Sequence, residues 1–208
     1  MDDESVYDAR LELVDFVIEV FWDVPGEEFV EKLLADEIEL PDDSINEPMD
    51  EGFAMLSAWV DENAGRSVAV VREELHQEYT SLFVGPRPPV LPHETNYREG
   101  TEFIGEGLAE VEASYGAAGW NPPEDYPEED DFIAVEMAFL RDLIHRQREG
   151  HEETLGFERV FLEEHLTQWI DDFVGEMREE ADPGLFLAAA LVAQGLVAFE
   201  HDIVGQLG

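Results

Sequence analysis

Residues 7–21 read YDARLELVDFVIEVF, and their spacing decides the fold class. Tyr7, Leu11, Val14, Ile18 and Phe21 recur every three or four residues, the period of one face of an α-helix. Leu13, Phe16, Val17 and Val20 widen that face, so the helix is expected to be buried on more than one side and to stop near Pro25. The same period returns along most of the chain. A second helix is predicted over Glu27 to Ala35 and, after an acidic loop containing Pro41 and Pro48, a third over Glu51 to Glu62. Val68, Val71, Leu75, Tyr79 and Leu82 mark a fourth that ends before Pro86. Further helices are expected over Thr101 to Tyr115, Asp131 to Arg148, Thr154 to Glu180, and Pro183 to Val204, with Pro183 in a first-turn position. No segment alternates as a strand would, and no internal repeat is visible. The expectation is an all-α, single-domain helical bundle over residues 1–208.

Two segments interrupt it. From Val84 to Tyr97 the chain reads VGPRPPVLPHETNY, whose four prolines forbid a helix and push the residues before them into extended conformations. Residues 119–130, GWNPPEDYPEED, form a second proline-containing stretch. Loops of this length inside a compact domain are more often functional than idle.

The chain carries 52 acidic and 11 basic residues, a formal net charge of -41. Self-repulsion of that size usually signals disorder, but disordered chains lack the regularly spaced Leu, Val, Phe and Trp found here. A folded protein adapted to concentrated salt reconciles the two. At about 1 M salt the Debye length falls to roughly 3 Å, and surface carboxylates hardly repel one another. No basic stripe exists to meet a nucleic acid backbone. The absence of cysteine excludes disulfides, thiolate metal sites and a cysteine nucleophile. The first residues, MDDESVYDAR, contain neither a basic nor an apolar export region, and the protein is expected to stay in the cytoplasm. The longest apolar stretch, Gly184 to Phe199, is interrupted by Gln194 and Gly195 and is short for a membrane span; it is expected to be a central buried helix.

Glu136 stands among Phe132, Ile133, Met137, Phe139, Leu140 and Leu143, where a carboxylate is costly unless paired. Three readings stay open for it: an edge position reaching solvent, a partnered acid near a ligand groove, or a catalytic acid or base. Asp131 precedes that apolar run and suits a helix N-cap, as does Asp130. His165 shares the stripe of Phe161, Leu162, Leu166, Trp169 and Phe173, the setting of a satisfied core histidine or of a ligand. A dinuclear carboxylate centre needs Glu-x-x-His on two helices. Glu73-x-x-His76 supplies one copy, and Asp142-x-x-His145 an imperfect second, which defines a di-iron or di-manganese enzyme as the alternative function.

Between Tyr79 and Leu143 the chain resembles the TorD/DmsD/NarJ family of redox-enzyme maturation chaperones. Tyr79, Leu82 and Phe83 followed by Pro92, Glu94, Thr95 and Tyr97 are similar to an aromatic-Leu-Phe helix end running into Pro-x-Glu-Ser-x-Tyr/Trp, with threonine keeping the hydroxyl. DFIAVEMAFL, residues 131–140, is similar to Asp-His-Ile/Leu-x-x-Glu-Leu-x-Phe-Leu, matching at Asp131, Ile133, Glu136, Phe139 and Leu140. Phe132 replaces the histidine, which weakens any inherited role needing a protonatable ring. His165, Leu166 and Trp169 resemble a His-Leu-x-x-Trp helix. The resemblance implies a chaperone without catalysis, cofactor or metal. It would bind the precursor of a molybdopterin oxidoreductase, at its twin-arginine signal peptide, until the cofactor is inserted and the client exported.

Such a signal offers two cations and an apolar helix-forming segment, which a bundle binds by the helix-in-groove mode. With surface charge screened in salt, affinity is expected from apolar burial and a few sheltered carboxylates. Glu94, Asp131 and Glu136 are the candidate acids, Tyr97, Phe132 and Trp169 the candidate apolar walls, and Tyr79, Thr95 and His165 complete the expected site. The proline loop and the helix starting near Asp131 are expected to meet along one side of the groove. Monomer and homodimer, with or without helix exchange, both remain open.

Overall fold

The computed structural model of the protein describes residues 3–35, 37–38, 44–98, 104–123 and 126–207. The expected positions of Pro41 and of Thr101 lie outside them. The helices are α1 (Asp3–Phe21), α2 (Glu27–Leu34), α3 (Glu47–Asn63), α4 (Val68–Phe83), the four-residue α5 (Glu94–Tyr97) and α6 (Ile104–Ala118). After them come α7 (Ile133–Arg148), α8 (Thr154–Phe161), a π-helical turn (Leu162–Leu166), α9 (Thr167–Glu180) and α10 (Leu185–Leu207). The fold is all-α. Among the described residues strand-like pairing is confined to one isolated antiparallel bridge, His93 with Phe132.

The core forms around α10, which packs against α3, α9, α1 and α8. From Leu185 to Ala193 every one of its side chains is buried. By length and composition the stretch Leu185–Gly205 could span a membrane, but 67% of that window is covered by other helices. That burial is what a core helix requires. Glycines set the closeness of the α3–α10 crossing. A Cβ at Gly52 would lie 2.9 Å from the Ala188 carbonyl oxygen and from Val192 Cγ2, and one at Gly195 would lie 2.5 Å from Asn46 Oδ1. Asn46 uses this proximity. Its Oδ1 caps α3 by accepting the Met49 N–H at 3.1 Å, while its Nδ2 donates to the Gly195 carbonyl at 2.8 Å.

Several boundaries differ from the sequence reading. Helix α3 begins at Glu47, because Pro48 sits in its first turn where a missing N–H is harmless. Pro183 precedes α10 instead of entering it; the Gly184 carbonyl accepts the Ala188 N–H at 2.9 Å and starts the helix. The expected single helix from Thr154 to Glu180 contains the π-helical turn. Carbonyls released there are taken by side chains, Thr167 Oγ1 donating to Leu162 O at 2.8 Å and Gln168 Nε2 to Glu163 O at 2.8 Å.

A second polar cluster lies inside the bundle, absent from the sequence reading. Arg10 of α1 donates to Glu200 of α10 (2.6 Å) and to Glu158 of α8 (2.8 Å), and Gln147 of α7 donates to Glu158 at 2.5 Å. All four are buried. Burial first, and then the nearby charge of Glu200, raise the Glu158 carboxyl to about 8 despite Arg10. One guanidinium facing two carboxylates is thereby balanced by a proton.

Candidate functional site

The prolines between Gly85 and Pro92 keep that segment extended, and it is pinned where Val90 N–H donates to Leu82 O at 3.1 Å. Pro92 and His93 then run beside Asp131 to Ile133, and the two segments cap each other's helices. Ile133, the first residue of α7, donates its N–H to the Pro92 carbonyl at 2.9 Å, and Glu94, the first residue of α5, donates its N–H to the Asp131 carbonyl at 3.0 Å. The Asp131 carboxylate accepts the Thr95 N–H (3.1 Å) and hydroxyl (2.6 Å) and bonds His93 Nδ1 at 3.0 Å. Asp131 therefore caps α5, not its own α7 as its sequence position suggested; Phe132 holds the α7 N-cap without a side-chain bond. Burial pushes the Asp131 carboxyl up, but the bonds from His93 and Thr95 outweigh it and hold the group below its ordinary value. The proline loop and the start of α7 thus meet, as a reciprocal pair of caps, but neither segment lines the open cavity described below, so the groove side expected of them is not part of it.

This arrangement sends Glu94 inward, where its side chain is 0% exposed. Arg98 Nη1 donates to its Oε1 at 2.7 Å, and His165 Nδ1 lies 3.1 and 3.0 Å from its two oxygens. A carboxylate only accepts, so Nδ1 carries the hydrogen. On the other side of the ring, His165 Nε2 meets Ser114 Oγ at 2.9 Å. Glu136, also 0% exposed, lies against Glu94 and accepts the Trp169 indole N–H at 3.2 Å. Burial, and next the charge of Glu94, push the Glu136 carboxyl well above its ordinary range. As a carboxylate its Oε1 would be a buried acceptor with no donor among the described residues. A neutral acid there places no unpaired charge in the core, which is the form that burial beside Glu94 favours. The edge-of-face reading of Glu136 does not hold, because α7 is covered on that side by Trp169 of α9.

The other expected site residues divide. Thr95 binds Asp131, and Tyr97 stacks on Trp169 with centroids 5.7 Å apart and donates its hydroxyl to Glu176. Trp169 and Phe132 are 1% and 3% exposed, so they are core rings and not groove walls. Tyr79 joins the core aromatic cluster through Phe83 and Phe186 and donates to Phe21 O at 3.2 Å, away from the acids. Beside Phe132 the ring of His93 stands 5.1 Å away, bonded to Asp131. A protonatable ring is therefore supplied next to position 132 from the facing segment.

The Glu94 cluster reaches the surface through an open cavity of about 820 Å³ between α6 and the α8–π-turn segment. Its inner end is formed by Arg98, Ser114 and His165. Ala113 and Ala117 make one wall, and their short side chains leave open the space opposite Phe157 and Val160. Val160 is 42% exposed, one of few large apolar side chains in the open. Glu110, Glu163 and Glu164 rim the opening. Of the residues expected from sequence, His165 alone lines this cavity; Arg98, Ser114 and Val160 were missed. Among the described residues no group of three His, Asp or Glu side chains could hold a metal ion. Glu73 and His76 are exposed on α4, with Glu73 bonded to Gln77, while Asp142 pairs with Arg146 and His145 with Glu149 along α7. The dinuclear alternative is not assembled.

Residues 42–175 match the family described as "Nitrate reductase delta subunit". The chain belongs to that family. The match spans the proline loop, the Glu94 cluster and both helices of the cleft, so the geometry above lies within the family's own region. Nitrate reductase delta subunit proteins are maturation chaperones of molybdoenzymes and not catalytic enzymes. A search of curated proteins returned no match.

Proposed function

We propose that this delta-subunit-family protein is a cytoplasmic chaperone that holds a molybdopterin oxidoreductase precursor by its twin-arginine signal peptide, in the cleft between α6 and α8. The observation that carries the reading is the pairing of chemistries in one cavity. An apolar trough lined by Ala113, Ala117, Phe157 and Val160 reaches Arg98 and His165, the two partners of the buried Glu94, and is rimmed by Glu110, Glu163 and Glu164. The signal has the complementary order, guanidinium groups followed by an apolar helix. Short side chains on one helix facing an exposed valine on the other suit helix-in-groove docking. The bond of its N–H to the Asp131 carbonyl and the His165 ring hold Glu94 in place. Client binding is reversible, as a chaperone that must release its client after cofactor insertion requires.

The test is a titration of labelled twin-arginine signal peptide at multimolar salt, with thermal melts alongside. Ala113→Leu with Ala117→Leu fills the trough from two exposed positions and should weaken binding at least tenfold with little change in melting temperature. Val160→Glu should weaken it similarly. Wild-type affinity in both variants overturns the assignment of the cleft.

A further inference from the structure

Glu94 cannot stand alone. A carboxylate with 0% exposure needs a cation or strong donors at all times. Its two charged or chargeable partners differ in kind. His165 is 2% exposed and clamped from behind by Ser114, so it is fixed. Arg98 is 23% exposed, follows the four-residue α5, and lies where the cleft meets the Glu94 cluster. It bonds Glu94 at 2.7 Å and the surface acid Glu110 at 2.9 Å, both through the single nitrogen Nη1. A guanidinium has five donors and grips a carboxylate best with two in parallel. The hold of Arg98 on Glu94 is the weaker, one-nitrogen form, and a surface carboxylate already waits for it outside.

We propose that Glu94 is a seat for a guanidinium group, that Arg98 occupies this seat in the free protein, and that an arginine of the client displaces Arg98 to take it. The proposal rests on the cleft being the client site, as argued above, and names what selects the client there. Exchanging one guanidinium for another leaves the buried acid paired throughout, so opening the seat does not strand a charge. The displaced Arg98 stays with Glu110, which is 58% exposed. Because Arg98 holds the seat in the free protein, the client arginine competes with it, and the apparent affinity is lowered by the free energy of moving Arg98 out. That reduction favours release. Lysine, a compact and strongly hydrated ammonium without the planar fork, makes a poorer replacement. Screening by salt is weak at a fully buried carboxylate, so this contact survives where the surface field of the -41 chain does not.

Two arms test it on the full chain at multimolar potassium chloride. In the first, ethylguanidinium at tens-of-millimolar concentration is the probe, with tetramethylammonium as control. Arg98→Ala should melt below wild type and recover on adding ethylguanidinium only, while wild type and the Glu94→Gln, Arg98→Ala double variant should not respond. In the second, Arg98→Ala and Arg98→Gln should bind a twin-arginine peptide about tenfold more tightly than wild type, with no gain for the twin-lysine peptide. Arg98→Gln keeps part of the stem and a donor, so the arm survives if the alanine variant folds poorly. Absence of ethylguanidinium recovery in both single variants overturns the seat. Unchanged or weaker peptide binding by both folded variants, with wild type binding, overturns the displacement. A peptide that binds none of the proteins refutes the client reading of the cleft, and the ethylguanidinium arm then decides the seat by itself.

Discussion

Replacing Glu136 by glutamine should stabilise the protein at neutral pH, although Glu136 is fully buried and hydrogen-bonded. In the unfolded chain its carboxyl ionises near 4.5, whereas in the fold burial and the charge of Glu94 keep it protonated well above that. Folding above pH 4.5 must therefore take up a proton. Stability contributed by the neutral acid is fully present below the unfolded pKa and is lost as pH rises toward the folded one. The slope is 2.303RT, or about 1.4 kcal/mol for each pH unit in that window. Glutamine avoids this loss and keeps the shape, with its carbonyl accepting from Trp169 Nε1. Urea unfolding of wild type and Glu136→Gln, followed by tryptophan fluorescence from pH 4 to 8 at multimolar salt, isolates the effect as a difference. The two should coincide near pH 4, with the variant gaining about 1.4 kcal/mol per unit above 4.5 until Glu136 itself titrates in the fold. Glu136→Leu should instead destabilise near pH 4 by about 1–3 kcal/mol, because it orphans the indole N–H, and that deficit should shrink as pH rises, since leucine also takes up no proton on folding. A Glu136→Gln variant that is less stable by a pH-independent amount would refute the protonated-acid account.

Three further outcomes follow from the fold. Asp131→Ala removes both bonds to Thr95 and should lower stability by about 1.5–3 kcal/mol at pH 7. Because the Asp131 carboxyl sits below its ordinary 3.8, its contribution is present above that pH and lost as pH falls through the folded value, so variant and wild-type melts should converge in acid. Gly195→Ala forces a Cβ within 2.5 Å of Asn46 Oδ1 and should destabilise by about 1–3 kcal/mol in thermal melts, since α3 and α10 must separate. Lowering salt from multimolar to about 0.1 M should depress the melting temperature by restoring repulsion among 52 acidic residues, whereas Glu179→Gln, at an exposed position, should leave high-salt stability unchanged.

Helical period located most of the bundle because an apolar stripe must be buried whatever its partner, which is why Tyr7 to Phe21 read correctly and why the burial of Phe161 to Phe173 did, although the π-helical turn at Leu162–Leu166 left no mark in the period. Proline chemistry exposed the loop before Glu94 for the same local reason. What the sequence concealed was pairing. Asp131 looks like the cap of the helix it precedes, and only tertiary contact shows that it caps α5 across the bridge. Glu136 and Trp169 are 33 residues apart, and nothing local joins them. Arg98 was legible in hindsight, standing four residues after Glu94 in a chain with 11 basic residues. Arg10 was too: it lies on the stripe of Tyr7, Leu11 and Val14, where a guanidinium demands buried acids. The cleft left no signature, since it consists of space beside Ala113 and Ala117, and small side chains announce neither a packed nor an open face.

The most direct test of the central claim is site-specific photocrosslinking of a labelled twin-arginine signal peptide. A photoreactive residue is placed at Val160 in the cleft or at Val70 on α4, which are similarly exposed at 42% and 49%. Saturable crosslinking at position 160, competed by unlabelled peptide and lacking at position 70, is the predicted result. Equal labelling at both positions, or labelling at 70 alone, would contradict the assignment of the α6–α8 cleft as the client site.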